Sequence, residues 1–176
     1  MKKFFTIAMK CLVVLSLGYL CFLPLVFNIV NLLNNCINIY DFGIYEQAIY
    51  EIAGGAGWNP YLTVRNIHIF NEHFDPVIFL AAPWALIFKY NPVCLVVFEW
   101  LWFAAIIVMI ILISRKKNSF YETCFYIMLF CLSRAIISGL AYPIHPTTWA
   151  MLPLFLIILY LYGNGFWGVF LSCFAL

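Results

Sequence analysis

Between Lys10 and Asp41 the chain carries no Asp, Glu, Lys, Arg or His, and residues 92–114 carry a single charge, Glu99. Uncharged runs of this length decide the fold class first, because about 20 apolar residues wound as a helix cross the roughly 30 Å of bilayer hydrocarbon. Composition agrees. Hydrophobic residues make up 66% of the chain, aromatics 20% and charged residues only 9%, more apolar surface than a water-soluble domain can cover. The expected fold is an all-α integral membrane protein, a multi-helix transmembrane bundle. A net charge of +2, with no basic patch interleaved with aromatics, excludes nucleic acid as a partner.

Seven cysteines stand at positions 11, 21, 36, 94, 124, 131 and 173; six lie inside apolar runs, and no C-x-x-C pair occurs. A thiol in a membrane helix is a small apolar filler, so no structural disulfide is expected. The opening "MKKFFTIAMKCLVVLSLGYLCFLPLVFNIV" has the basic flank and apolar stretch of a signal sequence. Its apolar run is too long for an ordinary signal peptide and no A-x-A-like cleavage site follows, so it reads as an uncleaved first span over about residues 8–33.

Lys2, Lys3 and Lys10 place the N-terminus in the cytoplasm by the positive-inside rule. The apolar stretch 76–88 is about 20 Å long as a helix, too short to span. If it lies on the outer surface, the next basic cluster, residues 115–117, is cytoplasmic as well. Residues 34–91 then form one exoplasmic loop, with a helix near 40–53, a turn at "GGAGWNP" and an interfacial helix over 76–88. Further spans are expected at 92–114, 120–140 and 147–162, with the start of another at 166–176. Eleven residues cannot cross alone, so the single transmembrane domain 1–176 is expected to be the N-terminal portion of a longer multi-pass cell-membrane protein, or a truncated frame.

Three pieces occur in order: "YDFGIYEQAIY" with Asp41, Gly43 and Gln47; "EHFDPVIFLAAPWALIFKYNPVCLVVFEWLW" with His73, Phe74 and Pro76; and "YPIHP" with His145 and Pro146. This ordered set resembles the N-terminal portion of domain-of-unknown-function family 2079, predicted polytopic membrane proteins of prokaryotes related to the GT-C glycosyltransferases. The resemblance implies a GT-C type bundle whose first exoplasmic loop carries an acid facing a cavity at the membrane surface. It also implies transfer of a sugar from a polyprenyl-phosphate carrier to an acceptor, usually with inversion. Asp41 fills the acidic position. Phe42 follows it, where the superfamily commonly has paired acids, so the cofactor stays open, a divalent metal being one option.

Transfer needs a base for the acceptor hydroxyl and positive charge or a metal for the departing phosphate. Asp41 is the candidate catalytic base; the alternative is that it N-caps a helix starting at Phe42. On that helix Asp41, Tyr45 and Ala48 share one face, Ile44, Gln47 and Glu51 another, and Glu46 points elsewhere, so the acids of this helix do not cluster by themselves. Gln47, His73, His145 and Arg134 are the candidate substrate-binding residues. "HIFNEHFDP" misses both zinc-protease patterns, and His68 and His73 are off the i, i+4 spacing of helical zinc ligands. His73 is expected to cap the helix at Pro76; the alternative is that it contacts a phosphate or a metal together with Asp41. With His145 arriving from another loop, three groups converge, or they are unrelated interfacial polar residues. Glu99 and Arg134 sit at matching depth inside their helices and are expected to form a structural pair; the alternative for Arg134 is a lipid phosphate.

The leading expectation is a GT-C-like membrane glycosyltransferase, or a remnant of one, using a polyprenyl-phosphate-linked sugar at the exoplasmic face, with membrane lipid as its surroundings. The alternative is a non-catalytic membrane protein that binds or exports a lipid-linked or hydrophobic ligand. Sugar, acceptor and oligomeric state have no signature in these residues.

Overall fold

The computed structural model describes residues 2–37, 39–114, 118–142 and 144–163. The basic cluster 115–117 and the expected start of a further span at 166–176 lie outside the described residues. The chain begins with α1 (Lys2–Leu33), followed by α2 (Ile39–Ala53), a hairpin of β1 (Tyr61–Leu62) and β2 (Ile67–His68), and the short α3 (Ile69–Glu72). A 3₁₀ turn (Pro76–Leu80) leads into α4 (Ala82–Ile87), then α5 (Val93–Ser114), α6 (Phe120–Leu132), α7 (Arg134–Leu140), α8 (Pro146–Trp149) and α9 (Met151–Gly163). The protein is mostly helical, and the two-residue strands are the only departure among the described residues from the expected all-α fold.

Among the described residues, two helices are long and apolar enough to cross a membrane, Phe4–Leu33 and Val93–Ser114. Large apolar side chains such as Phe4, Leu15, Tyr19 and Val26 are exposed along α1, as lipid-facing positions are in a membrane solvent. Pro24 interrupts the backbone ladder of α1, since proline has no N–H and crowds the carbonyls one turn back. Near it, Cys21 O accepts from the Trp100 indole of α5 at 2.9 Å, which ties the two long helices together.

The expected span over 120–140 is not one continuous helix. It is a broken pair, α6 and α7, bent by 54°. Ser133 lies at the break and its hydroxyl accepts from Ile136 N–H at 3.3 Å, capping α7. Serine competes with the helical backbone in this way and is better at a cap than in an interior. The expected span over 147–162 is likewise divided, into α8 and α9.

Sharp helix ends fold residues 34–91 back on themselves. α1, α2 and α4 each close with the paired bonds of a Schellman motif: Cys36 N–H to Asn31 O, Ala56 N–H to Glu51 O and Tyr90 N–H to Ala85 O. The left-handed position is Asn35, Gly55 and Lys89 in turn. The apolar stretch 76–88 forms the 3₁₀ turn and α4. Its apolar face packs with α2, the hairpin, the start of α5 and Trp149 in one core, around Ile49, Leu62, Ile78 and Leu95. A second core joins α1, α5, α6 and α7 around Phe103, Ile127 and Leu140.

Candidate functional site

Where these two cores meet, polar side chains from three separate segments gather around Tyr45. Tyr45 is buried in α2, one helical turn after Asp41, and donates its hydroxyl to Asp75 Oδ2 at 2.9 Å. Its ring lies 5.8 Å from that of His73 and 6.0 Å from that of His145. Burial, then the Asp75 carboxylate and the bond to it, then Asp41, hold the Tyr45 hydroxyl well above the usual phenol range. It is therefore a neutral donor at any physiological pH. Asp75 precedes Pro76 but does not cap the 3₁₀ turn with its side chain. His73 is exposed between α3 and that turn.

Asp41 lies in the first turn of α2, which begins at Ile39, so it is not the N-cap of a helix starting at Phe42. The carboxylate there is favoured by the positive end of the helix dipole. Asp41 also lines an open cleft of about 360 Å³, together with Ser138 and Tyr142 of the α7 end and His145, Thr147 and Thr148 of the α8 start. His145 Nδ1 pairs with Thr147 Oγ1 at 2.6 Å, so a ligand in the cleft would meet this ring at Nε2. The cleft lining thus combines a carboxylate, an imidazole and several hydroxyls. A larger cavity of about 590 Å³ between α1, α5 and α6, lined by residues such as Leu17 and Ile107, is apolar and shares no residue with the cleft.

The remaining expected site residues fall elsewhere. Gln47 donates to Glu51 Oε1 at 2.7 Å and shares two bonds with Thr63 of the hairpin turn, and it does not line the cleft. Glu46 lines a different cavity with Asn35 and Pro92, where burial pushes its carboxyl above the usual range. Arg134 opens α7 with its side chain exposed. The Glu99–Arg134 pair is corrected: Glu99, buried in α5, accepts from Ile144 N–H, His145 N–H and the Thr148 hydroxyl. The bend at Ser133 leaves Arg134 on the outside of α7, and among the described residues the ion pair present is Arg65 with Glu72. The six described cysteines are free thiols. No three His, Cys, Asp or Glu side chains among the described residues are grouped closely enough to hold a metal ion.

The family described as "Predicted membrane protein (DUF2079)" matches residues 31–176. The chain belongs to this family. The match takes in every residue of the cleft and of the Tyr45 cluster, and leaves out most of α1. No curated protein and no solved structure matches the chain. Within the family segment, sequence reasoning passed over Tyr45 and Asp75 as site residues. An i, i+4 relation to Asp41 was the available signal for Tyr45; Asp75 had none, since its approach depends on how the hairpin folds back over α2.

Proposed function

We propose that the protein is a GT-C-like membrane glycosyltransferase that takes its sugar from a polyprenyl-phosphate carrier at the exoplasmic face. In this reading the N-terminus is cytoplasmic, the chain crosses the membrane several times, and residues 34–91 lie outside. One observation carries it: Asp41 and His145, from segments a hundred residues apart, line the same polar cleft beside a neutral buried tyrosine. The acceptor hydroxyl loses its proton to Asp41 as its oxygen bonds the sugar's anomeric carbon. The bond from that carbon to the carrier phosphate breaks, and the electron pair leaves with the phosphate. His145 Nε2 and the cleft hydroxyls supply hydrogen bonds as charge builds on the leaving oxygen.

The test uses membranes containing the protein and a panel of polyprenyl-phosphate sugars. Asp41→Asn keeps size but cannot take a proton, and loss of a general base typically lowers rate by about 10² to 10⁴. The variant should insert and melt much as the wild type does, with a loss that includes the charge–dipole contribution of about 0.3–1 kcal/mol. Transfer at the wild-type rate by a normally folded Asp41→Asn protein would exclude Asp41 as the base.

A further inference from the structure

Glu99 sits in the second turn of α5, one of the long apolar helices, and is 2% exposed. A carboxylate in that position is expensive unless its oxygens are bonded. Its bonds all come from one short segment. Oε2 accepts from Ile144 N–H at 2.8 Å, and Oε1 accepts from His145 N–H at 3.3 Å and from the Thr148 hydroxyl at 2.5 Å. Satisfying Glu99 and shaping residues 144–148 are therefore a single event.

The segment needs such help. Ile144 is held at φ +62°, a left-handed conformation that a β-branched residue rarely adopts. Thr148 is confined from the other side as well: a Cβ added to Gly139 of α7 would meet its methyl at 3.1 Å. Between these constraints His145 and Thr147 are presented to the cleft, with the imidazole 6.0 Å from Tyr45.

We infer that Glu99 is a positioning residue: from inside α5 its carboxylate holds the 144–148 segment in the geometry that brings His145 to the polar cleft. This rests on the cleft being the functional site of the proposed enzyme. Glu99 itself does not line the cleft; it acts through His145.

The test is the reactivity of each histidine in the purified full chain toward diethyl pyrocarbonate, followed peptide by peptide by mass spectrometry. Glu99→Gln puts amide hydrogens or a lone oxygen where three donors need a carboxylate. His145 should then react roughly tenfold faster, the factor that corresponds to about 1.4 kcal/mol, while His68 and His73 keep their wild-type rates. Thr148→Val removes one donor and leaves both backbone bonds, so it should shift His145 alone and by less; Thr148→Ser should shift nothing. If Glu99→Gln fails to fold, Thr148→Val decides in its place. An unchanged His145 rate, or an equal rise at all three histidines, would overturn the inference and reduce Glu99 to a general element of the core. The reaction needs no sugar donor. A failed transfer assay therefore leaves this result standing, and an unchanged His145 rate leaves the transferase reading intact.

Discussion

Tyr45 shows how much a single residue can depend on surroundings that its local sequence does not reveal. Its hydroxyl is kept protonated chiefly by burial and next by Asp75, so the folded state holds the phenolic proton more tightly than the unfolded chain does. A folded pKa above the unfolded one contributes stability that is present below the unfolded value, about 10 for tyrosine, and is lost as pH rises beyond it. Tyr45→Phe removes the donor and leaves Asp75 Oδ2 without it, a loss of about 0.5–1.5 kcal/mol for an ordinary hydrogen bond. The variant should melt lower than the wild type at neutral pH, and the gap should narrow as pH is raised above about 10. A gap that stays constant across that range would mean that Tyr45 does not titrate with folding. Asp41 was legible from its position after a long apolar run. Its place within the first turn, and not at the cap, was not, because the helix starts at Ile39, three residues before the Phe42 start that a cap at Asp41 implies.

Among elements, the ones driven by length and hydropathy were readable: α1, α5 and the apolar 76–88 stretch all stand where the charge-free runs put them. The start of α6 was readable too, since Ser119 and Glu122 make the reciprocal bonds of a capping box. The break between α6 and α7 was not, because Ser133 inside an apolar run resembles many tolerated helix serines, and only its bond to Ile136 N–H makes it a cap. The hairpin escaped for a different reason. Two-residue strands show no alternation, and their register depends on Asn66 in a left-handed conformation and on the Asn59 side chain accepting from Phe70 N–H. The packing of α1 on α6 gives a direct check. Cys21 and Cys131 lie with their sulfurs 3.9 Å apart. With the other cysteines replaced, a membrane-permeant oxidant should render both thiols unreactive to alkylation until reduction, within one chain. Thiols that remain alkylatable, or a link that forms only between chains, would contradict this contact.

At the scale of the whole molecule, one core lies around α2, the hairpin and α4, the other along α1, α5 and α6, and the polar cleft is at their junction. The proposed orientation puts the first core and the cleft on the outer side of the membrane. Val64, exposed in the turn of the hairpin, should accept an impermeant thiol reagent in intact cells as Val64→Cys, and Asn118→Cys should not, in a background free of native cysteines. The reverse pattern would invert the topology and remove the exoplasmic site. The claim that matters most is that Asp41 and His145 belong to one reacting site, and the transfer rates of Asp41→Asn, His145→Ala and the double variant test it most directly. Residues that act as a unit are non-additive. Each single variant should lose at least about 10²-fold, and the double should fall only slightly below the worse single. Losses that multiply in the double variant, or a wild-type rate in either folded single, would contradict a shared site.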